Sequence, residues 1–278
     1  MKLNDAYQLT VRTLNHHKID EAEFKALCLT CSLLDIKNSE FHRNAEHQVD
    51  ESRLNELLNR LIDGEPLQYV IGKWDFYESE FIVGNGVLIP RPETEELVEE
   101  VIRYAGDKKD LIVIDLCSGS GCIGLSIAKK IKQSVVYCIE KSDEAFRYLS
   151  MNAENVGQAK IICGDISDQT LISTLPLADI IVSNPPYVRT EELLTLQEEV
   201  KAEPKMALDG GKDGLDFYRL INDLWSYQLK PDGKLFLEIG NEQGNDIVKI
   251  MQHFGNVKVK KDLYGNDRMA ICSFPRND

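Results

Sequence analysis

Two stretches of this 278-residue chain combine residue types and spacings that could do chemistry. The first, "IDLCSGSGCIG", follows an apolar run and opens a helical one, and its Gly119, Gly121 and Gly124 spell GxGxxG. Glycines so placed let the backbone turn sharply and approach a ligand where a Cβ would clash. Glu140 closes the next apolar run 16 residues after Gly124, where a carboxylate can accept hydrogen bonds from ribose hydroxyls. A nicotinamide dinucleotide is the first cofactor this spacing suggests, but the physics suits any adenosine cofactor; the plain alternative is a tight strand-to-helix turn with an exposed Glu. The second stretch is "VSNPPYV", where the apolar run Ile180-Ile181-Val182 ends in an Asn, two prolines and a Tyr. Consecutive prolines lock φ and hold the preceding Asn extended, so the polar groups of Asn184 and Pro185 are pre-aimed with little entropy left to lose. An ordinary strand-ending turn is the rival reading.

The elements that must position these residues follow from periodicity. From Leu111 onward, apolar strands alternate with helical stretches, which is the pattern of a doubly wound α/β sheet. Seven strands are expected, over 111–116, 135–139, 160–163, 179–182, 233–238, 257–260 and 269–274. Only "KDLYGND" separates the last two, too short for a crossover helix, so one of them runs antiparallel. Both chemical stretches, and Asp165 in "CGDI" after the third strand, fall at the carboxyl ends of strands, where open α/β sheets bind ligands. Upstream, apolar residues recurring at three and four predict helices over 3–14, 20–34 and 50–62, with Asp20 and Asp50 as N-caps. Between the two regions, apolar stretches flank Gly84-Asn85-Gly86, read as a hairpin turn. The expected organisation is a helical domain over 1–72, a β-hairpin linker over 73–90 and the α/β domain over 91–278.

Formal net charge is -14 and no basic block occurs, which disfavours a nucleic acid partner whose affinity must come from neutralising phosphates. No apolar run approaches the ~18 residues of a membrane span. The N-terminus lacks a basic segment followed by an apolar one, so a cytoplasmic address is expected. The seven cysteines are odd in number; Cys117, Cys138, Cys163 and Cys272 sit in apolar runs, as buried reduced thiols do. Cys28 and Cys31 form a lone CxxC without a second pair, read as two small hydrophobes on one helix face, and the five histidines show no ligand spacing; no metal is expected.

Three features favour S-adenosylmethionine over a dinucleotide. As in methyltransferases that use this cofactor, the first strand ends with an acidic residue ahead of the glycines, here Asp115; Asp165 stands where it can meet an adenine edge; and the fourth strand ends in Asn-Pro-Pro-Tyr. "SNPPY" resembles the methyltransferases that modify planar nitrogens. Such a nitrogen's lone pair is delocalised, so it is a poor nucleophile, and a site helps by holding both N–H groups in hydrogen bonds while positive charge develops. The resemblance makes the Asn184 side-chain oxygen one acceptor and the Pro185 carbonyl the second, with Tyr187 stacking on the flat group.

The likeness extends further. "GEPLQYVIG", "VLIPRPETEELVE", "DLCSGSG", "SNPPYV", "EPKMALDGGKDGLDFY", "LEIG" and "DLYGNDRMA" occur in the order seen in the release factor glutamine methyltransferase family, covering about residues 64–272. The resemblance implies a Rossmann-like methyltransferase sheet behind a helical substrate-docking domain. It also implies methyl transfer from S-adenosyl-L-methionine, leaving S-adenosyl-L-homocysteine, to the side-chain amide N5 of the Gln in the Gly-Gly-Gln motif of class 1 peptide chain release factors. Residue by residue it assigns Asp115, Cys117, Ser118, Gly119, Ser120 and Gly121 to the cofactor, with Asp115 facing its cationic end and Gly119 and Gly121 lining the methionine moiety, Glu140 on the ribose and Asp165 with Ile166 beside adenine. Asn184, which also borders the cofactor, would cradle the substrate Gln together with Pro185, Pro186 and Tyr187. Two departures stand out: Cys117 occupies a position that is usually Gly, so its Cβ must find room, and Ile166 replaces the aromatic residue of some relatives.

Arg91, held between prolines, is expected to shape the pocket; Glu203 either helps to close it or belongs to a surface loop; Thr94 or Glu93 is expected to cap a helix beginning in "PRPETEELVEE". Phe76, Tyr77, Trp74 and Phe81 are read as hairpin packing. A monomer with no direct nucleic acid or membrane contact is expected. The alternatives are an adenine N6 or cytosine N4 DNA methyltransferase, which shares the planar-nitrogen problem, and a non-catalytic S-adenosylmethionine sensor.

Overall fold

The structure, a computed structural model, describes residues 1–262 and 264–275. The chain divides into two compact units, one holding Met1–Lys73 with Glu198–Ala202, the other Trp74–Gln197 and the chain from Glu203 onward.

The first unit is helical. Leu3–His16, Ala22–Ser32, Glu51–Ile62 and Leu67–Ile71 are α-helices that bury Leu3, Leu14, Leu29 and Leu54 completely. Asp50 caps the third of these, accepting from the backbone N–H groups of Ser52 and Arg53. Asp20 does not cap the second: the N-cap is Glu21, which sits at φ 57°, so Asp20 stands one residue outside the capping position. Cys28 and Cys31 are buried on that helix, and the buried Lys25 beside them pairs with Glu199. Short helical segments over 38–44 and the helix at 67–71 go beyond the three helices expected.

From Trp74 the second unit opens with a hairpin of β1 (Lys73–Phe76), whose first residue belongs to the first unit, and β2 (Ser79–Ile82). Its turn lies at Tyr77-Glu78, both at positive φ (43° and 60°) as in a two-residue primed turn, and not at Gly84-Asn85-Gly86. Those residues form a separate turn beyond β2, closed by Val87 N–H on the Gly84 carbonyl at 3.3 Å. Burial decides the register: Phe76 and Phe81 are 1% and 0% exposed and meet edge to face at 6.0 Å, which outweighs the better local turn chemistry downstream.

The large sheet comprises β3 (Leu111–Leu116), β4 (Ser134–Glu140), β5 (Ala159–Cys163), β6 (Ala178–Ser183), β7 (Leu229–Glu238), β8 (Asn256–Lys261) and β9 (Asp267–Ser273). The spatial order is β5-β4-β3-β6-β7-β9-β8, with β9 antiparallel to both neighbours, the seven-stranded Rossmann-like arrangement expected. Its central strands are buried on both faces, so their runs are mostly apolar, with Asp115 and Ser183 as buried exceptions at the carboxyl ends of β3 and β6. Val113, Val136, Ile180 and Phe236 face one core, shared with the helices Pro92–Ala105 and Cys122–Lys130; Ile114, Ile139, Ile181 and Leu237 face the other, shared with Tyr218 and Trp225. Burying each such side chain contributes roughly 1.5–3 kcal/mol. Period-2 alternation places Glu238, two residues after Phe236, toward the helix Pro92–Ala105.

That helix begins at Arg91, with Pro92 in its first position. Neither Glu93 nor Thr94 is the cap: Thr94 lies inside the first turn, 2% exposed, and its hydroxyl serves a strand instead of the helix. Cys138 and Cys272 are buried as expected, but Cys163 is exposed, because β5 is an edge strand, and Cys117 is half-buried.

Candidate functional site

The sheet's strand order reverses between β3 and β6, the crevice where doubly wound folds bind ligands. These strands run in parallel register, Leu116 beside Ser183, and the buried Ser183 hydroxyl donates to the Leu116 carbonyl at 2.7 Å. The glycine-rich turn and the Asn-Pro-Pro-Tyr segment therefore leave the sheet side by side. A cavity of about 270 Å³ opens over the carboxyl ends of β3 to β6.

On its glycine side, Cys117 adopts φ 58°, a left-handed conformation that glycine takes at less cost. Glu140 braces this turn: Oε2 accepts from Gly119 N–H at 2.8 Å and Oε1 from Ser142 N–H at 2.7 Å. Burial pushes the Glu140 carboxyl up from its ordinary range, against the pull of those N–H groups. Each oxygen keeps a lone pair for a further donor such as a ribose hydroxyl. Asp165 pairs with Lys141 at 2.7 Å and accepts from Ser167 N–H at 2.8 Å; burial raises its pKa, but these contacts outweigh burial and hold it low. Ile166 is fixed by its carbonyl, which accepts from the indole of the fully buried Trp225 at 2.8 Å, and offers an apolar wall.

On the other side, the backbone after Asn184 is clamped by the 208–214 loop. Val188 N–H donates to the Leu208 carbonyl and Gly210 N–H to the Val188 carbonyl. A Cβ at Gly210 would fall 2.7 Å from the Tyr187 Cα, and one at Gly214, already at φ 76°, 2.4 Å from the Tyr187 oxygen. Only glycine permits so close an approach. Gln243 Nε2 bridges the Tyr187 and Gly214 carbonyls at 3.1 and 3.3 Å. The Asn184 amide donates to Thr94 Oγ1 at 3.3 Å, and that hydroxyl donates to Glu238 Oε2 at 2.6 Å. Tyr187 OH donates to the other Glu238 oxygen at 3.4 Å. Burial pushes Glu238 up to about 7 and raises the Tyr187 phenol as well.

Of the residues singled out in the sequence, Arg91, Cys117, Ser118, Gly119, Ser120, Glu140, Asp165, Ile166, Asn184 and Pro186 line the cavity. Asp115, Gly121, Pro185, Tyr187 and Glu203 do not. Asp115 is fully buried beneath the turn, where Oδ2 accepts from Gly124 N–H at 3.0 Å, and burial pushes its carboxyl up to about 7. Glu203 lies behind the wall, where it accepts from Ile89 N–H and pairs with Arg91. Sequence reasoning missed Thr94 in the lining and Glu238 behind it, bonded to Thr94 and Tyr187, as well as the apolar wall of Val87, Leu88, Met206 and Phe217. The "LEIG" motif was the one signal for Glu238. No group of His, Cys, Asp and Glu among the described residues could hold a metal ion.

The lining suits an adenosine-type ligand with a polar tail: a carboxylate bracing the turn, an aliphatic wall at Ile166, and at the floor the Ser120 hydroxyl, buried without a hydrogen-bond partner among the described residues. Such an orphan costs roughly 1–3 kcal/mol until a ligand satisfies it.

Comparisons with known proteins agree. Residues 5–72 match the PrmC N-terminal domain family and residues 95–212 the Methyltransferase small domain family. A release factor glutamine methyltransferase of Clostridium acetobutylicum is 38% identical over 238 residues, covering 82% of this chain and 83% of its own. One from Thermodesulfovibrio yellowstonii is 38% identical over 256 residues, covering 87% and 89%. The crystal structure of the hMettl16 catalytic domain in complex with a MAT2A 3'UTR hairpin superposes with TM-score 0.56 at 15% identity, covering 81% of each chain, a likeness of fold. Sequence, fold and cavity together lead to one conclusion: the chain belongs to the release factor glutamine methyltransferase family.

Proposed function

We propose that this enzyme transfers a methyl group from S-adenosyl-L-methionine to the side-chain amide N5 of the Gln in the Gly-Gly-Gln motif of class 1 release factors, tuning translation termination. The observation that carries the reading is the Asn184 carboxamide, held by Thr94 at the end of β6 and lining the same cavity as the glycine-rich turn. When bound, the cofactor supplies a methyl carbon made electrophilic by its sulfonium.

Glu140 would receive the ribose hydroxyls, Asp165 and Ile166 would border adenine, and Cys117 to Gly121 would hold the methionine moiety. Asp115 would act from beneath, through the turn it supports. Asn184 Oδ1 and the carbonyl of Pro185, a residue just outside the cavity lining, would accept the two N–H groups of the Gln amide, orienting the nitrogen and stabilising the charge it gains. The prolines make that geometry rigid before substrate arrives. Pro186 in the lining and Tyr187 just behind it would flank the flat amide, and Arg91, anchored by Glu203, would form the wall against which the release factor tip is placed. The methylated nitrogen is cationic and loses its proton to water, so no basic side chain is required. The 1–72 helical domain would dock the body of the release factor, the enzyme would act as a monomer in the cytoplasm, and nucleic acid would not be bound directly.

Incubating the enzyme with labelled S-adenosylmethionine, purified release factors and, in parallel, duplex DNA tests this. Label on the Gln amide, located by mass mapping, is the expected result; label on DNA amino groups, or none on Gln, would overturn it.

A further inference from the structure

We infer that Thr94 and Glu238 form a relay that decides which end of the Asn184 carboxamide faces the cavity, which makes both of them positioning residues for methyl transfer. The inference deepens the function proposed above and rests on it.

A primary amide is nearly symmetrical in shape but opposite in polarity at its two ends. With oxygen toward the substrate, Asn184 accepts an N–H; with nitrogen there, it opposes one. Nothing in the Asn-Pro-Pro-Tyr backbone distinguishes the two. The distinction comes from the chain Asn184 Nδ2 to Thr94 Oγ1 (3.3 Å) to Glu238 Oε2 (2.6 Å). A hydroxyl has one proton to give, and an ionised carboxylate can only accept. The Thr94 proton therefore goes to Glu238, and the Thr94 oxygen has only lone pairs left for Asn184. The amide must turn its NH2 inward, which leaves Oδ1 for the cavity. Thr94 and Glu238 are each 2% exposed, so water does not compete for these positions. The three residues come from a helix, the end of β6 and the end of β7, so no local sequence pattern reveals them.

Glu238 is faced by Arg268 from β9, Glu93 and Thr94 from the helix Pro92–Ala105, Cys122 from the helix after the glycines, and Tyr187 and Tyr218. Burial pushes its carboxyl up to about 7, with Thr94 and Arg268 opposing and Glu93 adding to the rise. As pH falls through that value, Glu238 gains a proton that it can give to Thr94. The Thr94 hydroxyl is then free to donate to Asn184, and the amide reverses. Turnover should decline on the acid side and level off above it.

The test uses the full-length enzyme with release factor and S-adenosylmethionine, comparing wild type with Thr94→Val, Thr94→Ser and Glu238→Gln. Thr94→Val should lower kcat roughly tenfold to a hundredfold, the range set by one unpaired buried N–H, with cofactor Kd by calorimetry unchanged. Thr94→Ser should recover kcat to within about threefold of wild type. Glu238→Gln should lose the acid limb of the kcat profile. A Thr94→Val enzyme within twofold of wild type, or a Thr94→Ser enzyme as slow as Thr94→Val, overturns the relay. A readout independent of turnover is the 15N–1H resonance pair of the Asn184 side chain, which should move in Thr94→Val and stay in Thr94→Ser. An unmoved pair in Thr94→Val likewise overturns the relay. Wild-type enzyme that leaves Gln unmethylated would refute the proposed function instead, and the amide resonances would still decide the relay.

Discussion

Glu203 lies 112 residues beyond Arg91 in sequence, yet its carboxylate, with 1% of the side chain exposed, takes both the Arg91 guanidinium and, at 2.9 Å, the Ile89 backbone N–H. The 89–91 wall of the cavity thus hangs on one buried side chain. Burial raises the Glu203 pKa even beside the Arg91 charge, so the wall is held at an electrostatic cost. Glu203→Ala leaves the Ile89 N–H unpaired, which costs roughly 1–3 kcal/mol. The variant should melt several degrees lower and raise KM for release factor more than it changes cofactor Kd; thermal denaturation with steady-state kinetics checks both.

In the proposed mechanism, Asn184→Ala removes an acceptor for the nitrogen that gains charge during transfer. Loss of one such preorganised partner typically lowers turnover about 10²- to 10³-fold. Cofactor binding measured by calorimetry should persist. Near-normal turnover in this variant would refute the assigned role.

Asp115 supplies a pH test of stability. Its folded pKa, about 7, lies above the ordinary 3.8, so between these values the folded chain binds the extra proton. Stability from this group is present at low pH and is lost as pH rises from about 4 to 7. Asp115→Asn lacks the titration while keeping an acceptor for Gly124. Its melting temperature relative to wild type should therefore rise by several degrees between pH 5 and pH 8, and a difference independent of pH would show that Asp115 is ionised throughout.

Cys117 sits at φ 58°, where a side chain costs about 1–2 kcal/mol and glycine loses about 0.5–1 kcal/mol of unfolded-state entropy instead. Cys117→Gly should be as stable as wild type or up to about 1 kcal/mol more so, with cofactor affinity retained. Chemical denaturation and calorimetry decide it. A clear loss of stability would mean that the thiol's packing outweighs the backbone term.

The α/β unit carries its own two hydrophobic cores, so a chain lacking residues 1–72 is expected to stay folded. It should bind cofactor normally but show a raised KM for intact release factor. Wild-type KM in the truncated enzyme would dispose of the docking role.

Much of this was legible in the sequence wherever a pattern is local. The strands of the large sheet, the presence of one antiparallel strand among the last two, the glycine turn and the Asn-Pro-Pro-Tyr segment each announce themselves through neighbouring residues. The misreadings occur where distant partners decide. Thr94 resembled a helix cap because its hydroxyl could serve the first turn; Glu238, 144 residues away, claims it instead. Gly84-Asn85-Gly86 has better turn chemistry than Tyr77-Glu78, but burying Phe76 and Phe81 fixes the register elsewhere. Cys163 lies in an apolar run whose strand is at the edge of the sheet, a fact of spatial order that no single run of residues contains.

The Ser183 hydroxyl bound to the Leu116 carbonyl means that the two halves of the cleft share one rung of the same ladder. In the proposed mechanism the spacing between methyl donor and acceptor is then a property of interstrand geometry, which varies little among sheets. An engineer retargeting this enzyme to another flat nitrogen should leave both strands untouched, together with Glu203, Gly210 and Gly214, and redraw the apolar lining at Met206 and Phe217.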